Sequence, residues 1–291
     1  MNVLLNGRMA CLGLLLCIFG GVLPASEPNL KKAEELYQHT SYEASIALLD
    51  RNSGDPAVHF LLGRDYFMSG DFKRATDHLE KATELSPSDS EYMDWLGRAY
   101  GKRAETANPL SAPAWASKAR QAFEKSVALD AHNRDALDDL FDYYLEAPGF
   151  LGGGYDKAAQ VADKLAAIDP PQGLHDRSRL DEKRKQMNSA EQHLREAVAA
   201  APHSVGHLIA LAKFLAKQGR TAESDAVLAK AQQVSPNNPR IWLAQADILV
   251  KQRRNLDEAR KLLNRYLQSP ITADDPPREE AVRLLKEAGG A

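Results

Sequence analysis

The chain has 291 residues, and its 37 lysines and arginines against 40 aspartates and glutamates leave a formal net charge of −3. So small a net charge gives only a weak electrostatic field, which argues against a general nucleic-acid binder. A hydrophobic content of 44% and a charged content of 26% are those of a folded chain and argue against disorder as the main state.

The first 25 residues have the features of a secretory signal peptide. Arg8 is their one charge, an apolar run covers residues 10–23, and the small residue Ala25 offers a cleavage point. The run is shorter than the roughly 20 residues that span a bilayer. Both cysteines, Cys11 and Cys17, lie within it, so the processed chain would have no thiol. We therefore expect a periplasmic or secreted protein of a Gram-negative bacterium without a membrane span; retention as an anchor, or lipidation of Cys17, is the alternative.

A repeated pattern organises the rest of the chain. The motif Leu-Gly-x2-Tyr ends at Tyr66 and again at Tyr100, 34 residues later, and each copy lies within apolar residues spaced three and four apart. This spacing predicts amphipathic helices. Small residues such as Ala75 mark points where two helices pack closely. The residue before a proline is pushed out of the helical backbone conformation, so a proline marks the end of a helix. Such prolines end the predicted second helices at Pro87, Pro170, Pro202, Pro236 and Pro270.

The 34-residue period and these anchors resemble the tetratricopeptide-repeat family. The resemblance implies an all-α fold, in which paired helices stack into an α-solenoid with a right-handed superhelix. We predict a degenerate helical pair at 26–54, six units over 55–271 and a capping helix at 272–291. The six units are expected at about 56–89, 90–133, 134–170, 171–204, 205–238 and 239–271.

Three units depart from the period. The second has ten extra residues at 104–113, which predicts a long internal loop or an extended helix, and the third has five extra at 146–154. The first helix of the fourth unit, at 174–187, is strongly polar. We expect a bend or local opening of the superhelix there.

One predicted helix carries an acidic stripe. Asp135, Asp138, Asp139 and Asp142 lie along one side of it and Glu146 follows one turn later. Such a stripe repels itself unless a positive group faces it. It is either a solvated face or a recognition surface for a basic segment; calcium is disfavoured because the carboxylates lie on a helix and not in a loop.

Motifs that would indicate catalysis, metal binding or phosphate binding are weak. The glycines at 152–154 are followed by no Lys-Ser/Thr, and no strand precedes them, as a phosphate loop requires. His203 and His207 are four residues apart but have no third ligand nearby in sequence. No nucleophile elbow, zinc-protease motif or dinucleotide fingerprint is found. We therefore expect no catalytic residue, no metal and no cofactor, and a protein that is not an enzyme.

The resemblance further implies that the first helices of successive units line a concave groove that holds peptide segments or partner helices of other proteins. A clamp for a C-terminal carboxylate is not expected, since Phe60, Asp94 and Asp138 stand where the first lysine would be needed. The groove-facing positions transferred by motif are Phe60, Arg64, Phe67, Asp94, Arg98, Asp135, Asp138, Asp142, Lys213 and Lys217.

From these features we expect a protein–protein interaction scaffold, or adaptor, that acts in assembly of the bacterial envelope. The alternative is a regulatory or ligand-binding subunit of a polysaccharide-export or secretion machine. In that alternative the loop at 146–154 is the contact with the partner.

Overall fold

The computed structural model describes residues 29–289, so the predicted signal peptide, both cysteines and the last two residues lie outside the described part. Within 29–289 the chain forms fifteen α-helices and no strand, which confirms the all-α prediction. The helices are α1 Leu30–Gln38, α2 Tyr42–Leu48, α3 Pro56–Met68, α4 Phe72–Leu85, α5 Ser90–Thr106, α6 Ala112–Leu129, α7 Arg134–Glu146, α8 Tyr155–Ile168, α9 Pro170–Lys183, α10 Met187–Ala200, α11 Val205–Lys217, α12 Thr221–Val234, α13 Pro239–Lys251, α14 Leu256–Gln268 and α15 Arg278–Glu287.

Short polar residues and glycines set the helix ends. The Asp55 and Asp89 side chains accept hydrogen bonds from backbone N–H groups at the starts of α3 and α5, and Asp71 does the same for α4. Gly70 and Gly219 follow α3 and α11 with φ of 78° and 77°, a conformation that glycine adopts without steric cost. Each turn therefore reverses the chain and sends the next helix back along the previous one.

Consecutive helices pack in pairs, from α1 with α2 to α13 with α14. The first helices of neighbouring pairs also contact each other, as α3 does α5 and α11 does α13. Among residues 29–289, no two successive second helices pack against each other to a similar extent. The array must therefore curve, with the first helices on its inner wall and the second helices outside.

Small residues bring the helices of a pair together. A Cβ atom added to Gly97 in α5 would lie 2.6 Å from the ring of Phe123 in α6. At Gly63 it would lie 2.5 Å from Leu79 Cγ, a side chain that is fully buried. A larger residue at either site would have to displace the facing side chain or the helix that carries it, which explains why the repeat has glycine there.

The extra residues of the second unit lengthen its helices. Helix α5 has 17 residues and α6 has 18, against 13 and 14 in the first unit, so the extended-helix alternative holds and only residues 107–111 form a loop. The extra residues of the third unit form a 3-10 turn at Gly149–Leu151. This turn is held by the Tyr143 hydroxyl, which donates to the Leu151 carbonyl oxygen at 2.9 Å.

The hydrophobic core is continuous only from α1 to α9. One cluster extends from Leu30 to Leu180, whereas α10 to α14 are held by several smaller clusters and α13 to α15 form one of their own.

The two ends of the array meet. A cavity of about 590 Å³ is lined by residues 40–44 near the start and 271–279 near the end, and Ala273 packs against the main cluster. The described helices therefore complete about one turn.

Candidate protein-binding groove

The groove positions of the first unit belong to an aromatic cluster. Phe60 is buried and stacks on Tyr92 with ring centroids 4.4 Å apart. Phe67 is half-buried and meets Trp95 edge to face at 5.5 Å. The Arg64 guanidinium lies over Trp95 at 4.9 Å and over Phe60 at 5.3 Å. Burial removes Phe60 from the accessible wall, so Phe67 and Arg64 are the members of this group that a partner can reach.

Arg98 joins α5 to α7. Its guanidinium lies 3.1 Å from Asp94, 4.0 Å from Asp135 and in direct contact with Asp139. Asp94 is almost fully buried. Burial, and then the charge of Asp139, raises the pKa of Asp94 to about 8, while the charge of Arg98 lowers it. Asp94 therefore acts as a buried link between two units and is not a surface charge.

Arg179 plays the same part between α7 and α9. It lies 2.5 Å from Asp142 and 4.0 Å from Asp176, while the Gln172 amide donates to Asp138 at 3.1 Å and to Asp176 at 3.2 Å. Burial, followed by the neighbouring carboxylate charges, raises the pKa of Asp138 to about 6 and of Asp176 to about 8. Two carboxylates at this junction thus tend to hold protons that a solvated aspartate loses.

These contacts correct the interpretation of the acidic stripe as a solvated face. Asp138 and Asp139 point into the junctions with α5 and α9, where arginines and an amide face them. Asp135 is 82% exposed and Asp142 about half exposed. A basic segment would therefore reach mainly Asp135, which is the most exposed and lies 4.0 Å from Arg98, because closer ion pairs within the chain balance the remaining charge of the stripe.

A wide opening of the inner wall lies further along the array. A cavity of about 920 Å³ opens between α9, α11 and α13. Ile209, Ala210, Phe214 and Ile248 form its apolar part. Its charged rim contains five cations, Arg179, Lys213, Lys217, Lys251 and Arg254, and two carboxylates, Glu182 and Asp247. We call this opening the lysine groove.

Two lysines of the lysine groove share one carboxylate. Asp247 is buried, and it lies 3.4 Å from Lys213 Nζ and 2.9 Å from Lys251 Nζ. Lys217 pairs with Glu182 at 2.7 Å, and Arg254 pairs with Asp225 at 2.8 Å. The pair around Asp247 therefore keeps one uncompensated positive charge at the mouth of an apolar cavity. This arrangement favours a segment that brings an acidic side chain and an apolar one.

The structure brings the predicted groove residues together in three groups: Phe60, Arg64 and Phe67; the carboxylates around Arg98 and Arg179; and Lys213 with Lys217 in the lysine groove. Sequence reasoning missed Asp247 and Lys251. A signal was available, because an acid followed four residues later by a base recurs on first helices, as in Asp94 and Arg98 and in Asp247 and Lys251.

Two negative findings concern metal sites and membrane spans in the described part of the chain. Between residues 29 and 289, no three or more His, Cys, Asp or Glu side chains lie together in a way that could hold a metal ion. No helix in that range is both long and apolar enough to cross a membrane.

Comparison with known proteins supports the same architecture. Two models described as tetratricopeptide repeats match residues 56–89 and 183–248. A solved tetratricopeptide-repeat protein of Parabacteroides merdae is similar over 90% of this chain and 97% of its own, with 14% identity and a TM-score of 0.58. A thermophilic one from Thermus thermophilus is similar over 64% and 96%, with 18% identity and a TM-score of 0.53. No curated protein matches the sequence. At these identities the solved structures speak for the fold alone.

Proposed function

This chain is a tetratricopeptide-repeat protein, and we propose that it is a non-enzymatic scaffold that holds a segment of another protein in the lysine groove. The observation that carries the proposal is the cavity of about 920 Å³ on the inner wall, with an apolar floor and a lysine pair that shares a single carboxylate. An apolar anchor in the cavity would supply affinity, and the lysines would select an acidic neighbour.

The setting we propose is the bacterial envelope, because the N-terminal segment has the pattern of a signal peptide. The partner segment bound in the lysine groove is therefore expected to belong to a periplasmic or envelope protein. A role within a polysaccharide-export or secretion machine stays the alternative, with the loop at 146–154 as its contact.

Site-specific photocrosslinking in the native host tests the groove. A photoreactive amino acid at Ile209, on the cavity floor, is expected to capture a partner segment that mass spectrometry can sequence. The same amino acid at Ala226, which is exposed on the outer helix α12, is the control. Equal crosslinking from both positions would remove the groove from the proposal.

The captured segment then tests the charge argument as a synthetic peptide. Lys213→Gln is expected to weaken its binding about fivefold, or about 1 kcal/mol, while Lys251 still pairs with Asp247. Lys230→Gln, on the outer helix α12, makes the same change of net charge and is expected to leave binding unchanged. Equal affinities of all three proteins would show that the lysines do not select the segment.

A further inference from the structure

The two loops that exceed the repeat lie side by side on one edge of the array. The loop at 107–111 joins α5 to α6, and the loop at 147–154 joins α7 to α8. Both join the two helices of a unit, and such turns all lie on the same edge. The second loop also packs on the hairpin that carries the first, because the 3-10 turn contacts α6 and a Cβ at Gly152 would lie 2.9 Å from the Arg120 side chain.

These loops carry the two most exposed large apolar side chains among the described residues. Leu110 is 95% exposed and Phe150 is 83% exposed. Other large apolar residues of the described chain that reach solvent are less than half exposed. Side chains this exposed add little to the core. Single exposed apolar residues are common on protein surfaces, so what lies around these two decides whether they form a contact site.

Aromatic and basic groups lie just behind the tip that carries Leu110. The Trp115 ring is covered by the Arg103 guanidinium at 3.7 Å and by Lys118 Nζ at 4.7 Å, and Tyr100 lies beside it with centroids 5.7 Å apart. Of the four cations in residues 100–120, Lys102 pairs with Glu105 and Arg120 pairs with Glu124, which leaves Arg103 and Lys118 to give the hairpin its positive charge. The hairpin formed by α5 and α6 is therefore positive near its tip.

The spacing of these groups matches a membrane interface. Lys118 lies six residues after the first residue of α6, which places it about 9 Å along the helix from its start. If Leu110 enters the acyl boundary, Lys118 and Arg103 lie at the depth of the lipid phosphates, where basic and aromatic side chains are favoured.

We propose that this edge docks on a bilayer that contains anionic lipids, with Leu110 and Phe150 inserted and Arg103 and Lys118 on the headgroups. A bilayer accepts two separate projecting side chains without matching pockets, whereas a folded protein partner needs one pocket for each. The positive charge complements anionic headgroups. Docking in this way leaves the inner wall free and is independent of what the lysine groove binds.

Flotation with lipid vesicles tests the proposal. We use the chain purified after export, with its first residue established by mass spectrometry, so that all variants share one N-terminus. Vesicles of phosphatidylcholine with phosphatidylglycerol are expected to bind the protein, and vesicles of phosphatidylcholine alone are expected to bind it more weakly. Leu110→Ser with Phe150→Ser is expected to reduce binding at least about tenfold, because two apolar side chains no longer leave water.

Two matched controls separate this edge from the rest of the surface. Leu129→Ser removes an exposed leucine at the opposite end of α6 and is expected to change nothing. Arg103→Gln with Lys118→Gln is expected to weaken binding to the anionic vesicles, unlike Lys230→Gln with Lys261→Gln on outer helices. The proposal is overturned if neither vesicle binds the protein, which would assign the edge to a protein partner, or if Leu129→Ser reduces binding as much as the double serine variant.

Discussion

At the scale of single residues, close packing and not helix propensity decides which glycines the chain needs. Gly97 and Gly101 lie one turn apart on α5. A Cβ at Gly97 would overlap the Phe123 ring, whereas nothing lies within 4 Å of a Cβ at Gly101. Gly97→Ala is expected to lower the free energy of unfolding by about 1–3 kcal/mol, and Gly101→Ala to raise it by about 0.5–1 kcal/mol. Urea unfolding of the two variants checks this, and a stabilised Gly97→Ala would contradict the packing argument.

Buried carboxyls make the stability depend on pH. Asp94 faces Arg98, Asp135 and Asp139, and its folded pKa of about 8 stands above the ordinary value of 3.8. The folded state therefore binds more protons than the unfolded state, so this contribution is full below about pH 4 and is lost as the pH rises through about 8. One such proton corresponds to a slope of at most about 1.4 kcal/mol per pH unit.

Replacing this carboxyl with an amide isolates the effect. Asp94→Asn keeps a hydrogen-bond donor toward Asp139 but cannot ionise, so its urea midpoint is expected to fall less steeply with pH than that of the parent. Asp135→Asn changes an exposed carboxylate and is expected to keep the parent slope. Parallel slopes for Asp94→Asn and the parent would show that Asp94 is ionised in the folded protein.

At this scale the packing residues of the repeat could be predicted from the sequence, but the burial and pairing of the charged groups could not. Gly63, Gly97 and Tyr66 could be read from the 34-residue period, because the repeat imposes the same packing at each copy. Whether Asp138 meets solvent depends on Gln172, which lies 34 residues further along the chain and donates to it. Such contacts depend on how units stack, and spacing within one helix does not contain that information.

At the scale of helices, the continuity of the core predicts where the array opens. The main cluster ends at Leu180 in α9, and α10 to α14 rely on smaller clusters. Amide hydrogen exchange is therefore expected to be slowest in α3 to α8 and to quicken from the middle of α9 onward. The polar character of residues 174–187 had already indicated an opening near this point. Uniform protection across residues 172–200 would contradict it.

The polar helix α9 shows why that indication was incomplete. Its Asp176, Ser178 and Asp181 are buried, and they bond to Gln172, a backbone carbonyl and His193. Polarity here reflects a hydrogen-bonded junction with α7, α10 and the helix itself, and it does not mark a solvent-exposed helix. The extra residues of the second unit were equally ambiguous in sequence, since a loop and two longer helices need the same length of chain.

At the scale of the whole molecule, the closure of the array was not predictable from sequence. Each unit adds a small rotation to the next, and the position of the last unit depends on the sum of all of them. In the structure the sum brings residues 271–279 back to residues 40–44. The inner wall is therefore the inside of roughly one turn, and a bound segment must either thread it or enter where the ends meet.

The contact between the ends can be tested with a pair of spin labels. Glu43→Cys and Glu279→Cys place both labels on the same cavity of about 590 Å³, and the processed chain is expected to supply no other thiol. Pulsed electron paramagnetic resonance is expected to give one short distance between the two labels. Ala273→Glu, which puts a charge where Ala273 packs on the main core, should lengthen and broaden it, whereas Ala226→Glu on the outer surface should not. A broad, long distance in the unperturbed pair would mean that the turn stays open in solution and that partners enter the groove without separating the ends.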